Sequence, residues 1–153
     1  MKSSTIAKTF TIAAITALAL GVAPTARADD KGCSVASLQG TFTYTGTGFN
    51  VTPAGSAVPF AEVGTQTFDG KGGTTTTFTA SANGNLFQIS FSGTYTLNSD
   101  CTGTMTLLTP APNPTVTLFF AVADNLAEFQ AIETLPGAIV TRIGRKMFPG
   151  RNI

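Results

Sequence analysis

Few residues in this chain have side chains able to do chemistry. Its 153 residues include eight Asp or Glu and no His. Without His, neither a Ser-His-Asp nor a Cys-His nucleophilic system can be assembled, and no His-ligated metal site can form. Asp29 and Asp30 lie near the N-terminus, and Asp69, Asp100 and Asp124 fall in turn-forming stretches where Asp bonds its own backbone. That leaves Glu62, Glu128 and Glu133 within extended segments. A carboxyl group held inside a folded β-protein is partly desolvated, which raises its pKa and fits it for proton transfer. Glu128 and Gln130 share a face with Ile132, whereas Glu133 shares the opposite face with Phe129. The pattern leaves open which face is interior. Arg142 shares a face with Val140 and could pair with an interior Glu, and Tyr44 is a second candidate acid or base. The candidate site residues are therefore Tyr44, Glu62, Glu128, Gln130 and Arg142. Against this stands the rule that charged side chains are rarely buried unpaired, so outward, solvated positions compete for each.

The remaining chemical signals are weak. Asp69-Gly-Lys-Gly-Gly73 resembles a fragment of a calcium loop, but it lacks the acidic residues that six to eight oxygen ligands demand. Asp-Gly is a favoured hairpin pair, so a turn explains the stretch. No metal and no cofactor are expected.

The N-terminus carries the most specific signal. Lys2 and Lys8 precede an apolar run over 10–23, and Ala26 and Ala28 have the small-x-small spacing of a signal-peptidase site. The run is shorter than the roughly 20 residues that span a bilayer. Residues 1–28 read as a secretory signal peptide and 29–153 as one domain of 125 residues (153 minus 28). The expected location is secreted or periplasmic, with no membrane anchor after cleavage. Removing Lys2, Lys8 and Arg27 leaves six basic residues against eight acidic ones, a net charge of −2. That balance excludes a basic nucleic-acid binder. The late group Arg142, Arg145, Lys146 and Arg151 reads as a solvated end. The two cysteines, Cys33 and Cys101, form an even set in an exported chain and are expected to pair as a disulfide.

The elements that must position these groups are strands. Period-two alternation recurs and no window shows a helical period. In 86–97, Phe87, Ile89, Phe91, Tyr95 and Leu97 oppose Gln88, Ser90, Ser92, Thr94 and Thr96. The spacing predicts eight strands, at 38–49, 60–68, 74–82, 86–97, 103–108, 115–123, 127–134 and 138–147. Short Gly, Asn, Asp and Pro-bearing connections separate them, as antiparallel hairpins require. The expectation is an all-β fold, an antiparallel eight-stranded up-and-down barrel, since closure removes the edges. A β-sandwich is the alternative. In such a meander the tight turns fall at one end and the longer Pro-bearing loops at the other. Both cysteines precede odd-numbered strands and so share the tight end, where the entering chain could cross the barrel floor. The phenylalanines at 42, 60, 68, 78, 87, 91, 119, 120 and 129 are expected in the core.

The series Cys33-Ser-Val-Ala-Ser-Leu-Gln-Gly40, then Phe68-Asp-Gly-Lys-Gly-Gly73, then Gly93-Thr-Tyr-Thr-Leu-Asn-Ser-Asp-Cys-Thr-Gly103 resembles a group of small secreted bacterial proteins. By strand number the chain also looks like allene-oxide-cyclase-type or lipocalin-like barrels. That likeness implies a small apolar ligand and matches no catalytic residue.

Three functions follow as expectations. One is binding of a small apolar molecule, entered past the Pro-bearing loops. A second is a cyclase- or isomerase-type enzyme using an interior carboxylate such as Glu128, or Tyr44. The third is a non-catalytic envelope or surface protein. A collapsed interior filled by Phe would sink the first two. A cavity holding a buried carboxylate beside Tyr44 would point to the enzyme, and an apolar cavity without titratable groups would point to binding.

Overall fold

Alternating side chains build eight strands: β1 Gln39–Val51, β2 Ala57–Asp69, β3 Gly73–Ala82, β4 Asn85–Leu97, β5 Thr102–Leu108, β6 Val116–Val122, β7 Glu128–Glu133 and β8 Ala138–Lys146. The computed structural model describes residues 32–110, 115–123 and 125–147. The proposed signal peptide, residues 1–28, lies outside these described residues. Each strand pairs antiparallel with its sequence neighbours, and β8 closes on β1 from Phe42↔Lys146 to Asn50↔Ala138. The result is a closed up-and-down barrel. The expected strands are all present, and closure excludes the open sandwich. Among the described residues no helix is long and apolar enough to cross a membrane.

Turn chemistry sets the hairpins. Asn83 and Gly84 both take positive φ (49° and 82°), the two-residue primed turn that suits strand twist. The Asp69 carboxylate accepts from the backbone N–H of Lys71 and Gly73, which holds the β2–β3 turn and keeps the Asp69 carboxyl below its ordinary pKa. Asp100 does the same for Thr102 before β5.

One end of the barrel is sealed. A single turn of 3-10 helix, Val35–Ser37, is capped reciprocally by Ser34 and Ser37 and delivers Leu38 into the core, fully buried. The Tyr95 hydroxyl donates to the Leu38 carbonyl at 2.9 Å and also faces that of Val35 at 3.0 Å. Cys33 and Cys101 form a disulfide with Cα atoms 4.9 Å apart, and the Cys33 N–H donates to the Ser99 carbonyl. β1 and β5 lie on opposite walls, so the segment 33–38 crosses the floor and is clamped on the far side.

Above that floor Phe42, Phe68, Phe120, Phe129 and Tyr95 pack with ring centroids 5.0–6.0 Å apart. Met105, Leu107 and Leu118 complete a solid core with no exposure. Two of the expected core phenylalanines depart from that reading. Phe119 is 44% exposed because Leu118 and Phe120 take the inward positions of β6, and adjacent strand residues must part to opposite faces. Phe87 is 36% exposed because it stands at the opposite, unfilled end.

Candidate functional site

The register of β1 with its two neighbours assembles the candidate site. Gly46 on β1 lies directly opposite Glu62 on β2 and opposite Arg142 on β8. Having no side chain, Gly46 lets the two reach each other across β1. A Cβ at this position would lie 2.5 Å from the Glu62 Oε1. Arg142 Nε donates to Glu62 Oε1 at 2.5 Å and Arg142 Nη2 to Oε2 at 3.4 Å. The pair is buried, with the Glu62 side chain wholly covered and that of Arg142 only 4% exposed.

One step further down β1, Tyr44 lies opposite Gly64 and Gly144. Phe129 takes the space beside Gly144 and Phe78 that beside Gly64, the large–small alternation that packs a narrow barrel around Tyr44. The Tyr44 hydroxyl lies 3.1 Å from Thr76 Oγ1 and 3.5 Å from Glu62 Oε2. The Arg142 guanidinium sits 5.1 Å from the centre of the Tyr44 ring and 5.8 Å from that of Phe78, within cation–π range. Burial pushes the Tyr44 pKa up to about 12, with Arg142 opposing and Glu62 reinforcing the rise. Burial also raises the Glu62 pKa, against the lowering influence of Arg142.

This polar layer divides the barrel. Below it the interior is solid. Above it a cavity of about 460 Å³ opens between the ends of the strands at the Pro-bearing loops. Its walls carry Phe60, Phe78, Phe87, Ile89, Phe91 and Val116, and its rim includes Leu135 and Pro136. Arg142 and Glu133 are the charged residues of its lining. Glu133 is half-buried at the end of β7, and its pKa is raised by desolvation, lowered by Arg142 and raised by Glu62.

Of the five sequence candidates, three converge: Tyr44, Glu62 and Arg142. The other two stand on the outer wall. Phe129 and Ala131 take the interior of β7, because the Phe129 ring fits over Gly144, its partner on β8. Gln130 is therefore exposed, and Glu128 pairs with Arg145 at 3.1 Å on the surface. Such an exposed pair contributes little to stability. Neither can supply an acid or base to the cavity. Thr76, Gly46 and Glu133 complete the site beyond the five sequence candidates. Their common signal is inward parity, since each lies an even number of positions from a buried aromatic on its own strand: Gly46 from Tyr44, Thr76 from Phe78, Glu133 from Phe129.

Among the described residues no three Cys, Asp or Glu side chains group to hold a metal ion. Comparison of the chain with protein-family models, with curated proteins and with solved structures returns no match.

Proposed function

We propose that this protein is an exported carrier or receptor that binds one small, predominantly apolar molecule in the open half of its barrel. The observation that supports the reading best is a row of apolar side chains that face inward yet remain partly solvent-accessible. Phe60, Ile89 and Phe91 are only half-buried, and Phe87 is exposed, although all four line the cavity. A ligand that covered them would remove that apolar surface from water, at about 25 cal/mol per Å². A cavity of about 460 Å³ falls in the usual range of small-molecule sites. An eight-stranded barrel, with its interior half filled, is an architecture that holds one such ligand in lipocalin-like proteins. The disulfide-clamped floor agrees with an oxidising, extracytoplasmic location.

A second reading, acid–base catalysis, draws on Glu62 lying 3.5 Å from the Tyr44 hydroxyl. Arg142 weighs against it. It occupies both Glu62 oxygens and stands between them and the cavity, whose lining includes neither Glu62 nor Tyr44. A phenol whose pKa is pushed up to about 12 is also a poor proton donor at neutral pH. Glu133, the carboxyl group that does face the cavity, makes the fairer catalytic candidate.

Native mass spectrometry of protein purified from its own host tests the proposal. The expected result is a co-purified small molecule released by organic solvent. Protein that carries no molecule and gives no fluorescence enhancement with a neutral apolar dye refutes it.

A further inference from the structure

Glu133 brings an accessible carboxylate to the cavity lining. It ends β7 at an inward position, and β7 faces β3 across the closed barrel. The carboxyl group therefore stands across the mouth from the apolar wall that Phe60 of β2 and Phe87, Ile89 and Phe91 of β4 supply. Among the described residues Glu133 has no hydrogen-bond or ion-pair partner. The buried side-chain atoms that lack a partner are Gln66 Oε1 and Arg142 Nη1, so the Glu133 oxygens keep accessible surface. An ionised carboxylate can only accept, so what completes it must offer a donor.

The charges around it restrict that donor further. Arg142 is held by Glu62 through Nε and Nη2, and that contact leaves Glu133 outside any ion pair. Two carboxylates and one guanidinium leave this group with one net negative charge. No base nearby offsets it: the connections at this end, 52–56, 83–84, 109–115 and 134–137, contain no Asp, Glu, Lys or Arg. Phe60, Phe87 and Phe91 add aromatic rings, whose faces attract cations. Desolvation holds the Glu133 carboxyl above its ordinary pKa, a cost that a cationic partner relieves. A neutral alcohol could donate to Glu133, but a charge-assisted bond is roughly twice as strong. A carboxylate ligand would add a second negative charge beside it, and an alkane would leave it unpaired.

Resting on the binding function above, we infer that the occupant is an apolar amine, whose ammonium head donates to the Glu133 carboxylate while its apolar body lies against Phe60, Phe87, Ile89 and Phe91. Glu133 is half-buried at a strand end, so the head keeps part of its water at the mouth while the body is covered. Hydrophobic area gives such a ligand its affinity, and the one oriented acceptor gives it direction, the usual division in small-molecule sites.

A displacement series tests this on the folded, oxidised protein at about pH 8, where an alkylamine is protonated and carboxylates are ionised. The neutral fluorophore phenylnaphthylamine is bound first, then displaced by decylammonium, decanol and decanoate. Decylammonium is expected to displace it at least about tenfold better than decanol, with decanoate the weakest of the three. Glu133→Gln is expected to weaken decylammonium about tenfold and to leave decanol within about twofold. Glu133→Asp, which keeps the charge, is expected to keep decylammonium ahead of decanol. Fluorophore binding reports whether each variant retains the cavity. Decanol or decanoate ahead of decylammonium overturns the head-group assignment. An unchanged decylammonium affinity in Glu133→Gln, or an equal loss of decanol and decylammonium, overturns the role of Glu133. A wild-type protein that does not bind the fluorophore at all refutes the binding function itself, a distinguishable failure.

Discussion

Replacing Arg142 by Met isolates the buried ion pair and makes its consequence pH-dependent. The pair is short, bidentate and buried on both sides. Removing one partner of such a pair leaves an uncompensated buried charge, a loss of about 3–5 kcal/mol. Burial already holds the Glu62 carboxyl above its ordinary pKa, and Arg142 is the chief influence lowering it. A carboxyl whose pKa is higher in the folded protein stabilises the fold below its unfolded pKa. That contribution is lost as pH rises through the folded value. Without Arg142 the folded pKa climbs further, and Glu133 shifts in the same direction. At about pH 8, Arg142→Met should therefore lose about 3–5 kcal/mol. Below about pH 4 Glu62 is protonated in the folded state, and only lost hydrogen bonds and packing remain, about 1–2 kcal/mol. Urea denaturation at the two pH values measures the difference. Adding Glu62→Gln to Arg142→Met should restore most of the alkaline loss and flatten the pH dependence. Equal losses at both pH values, or a larger loss in acid, would refute the reasoning.

Other perturbations probe the remaining parts. Gly46→Ala places a Cβ against the Glu62 carboxyl and should destabilise by about 1–3 kcal/mol in urea melts, with wild-type values counting against the close approach. Tyr95→Phe removes the hydroxyl that donates to the Leu38 carbonyl and should lose about 1 kcal/mol by the same assay. Neither cysteine should alkylate without reductant, and reduction should lower stability by about 2–4 kcal/mol; alkylation of both in the native protein would contradict the clamp. Spectrophotometric titration should show Tyr44 half-ionised only at about pH 12, and tyrosinate appearing for both tyrosines near the ordinary value would contradict their burial.

Strand number, order and closure were legible because the turns are strongly marked and the connections short. The disulfide was legible because two cysteines form an even set in a chain with an export signal, and a meander places both at one end. Side-chain facing was not uniformly legible. In β7 each face of Glu128-Phe-Gln-Ala-Ile-Glu133 carries one carboxyl and at least one apolar residue, so alternation alone cannot choose between them. The choice is made by the Phe129 ring over Gly144, a contact between residues on different strands. In β2, Glu62 is buried while Val63 is 59% exposed, the reverse of what hydrophobicity suggests. The cause is Gly46, whose missing side chain makes room for a paired carboxylate. Such compensations lie in cross-strand register, which a sequence contains only implicitly.

The ion pair also makes sense of the barrel's two halves. A solid aromatic core fills the end tied by the disulfide, where Phe42, Phe68, Phe120 and Phe129 touch. Continuing that pattern upward would fill the mouth and leave no cavity. Instead β1 places a glycine at 46, and the space inside it is taken by a salt bridge anchored from β2 and β8. Hydrophobic residues of similar volume would often stabilise a fold as well or better than a buried ion pair. A charged layer at this height therefore has its value in position. It ends the packed core at a polar shelf, and Arg142 joins that shelf to the lining of the open half. The packed half of the barrel holds that shelf in place, and the mouth above it stays open.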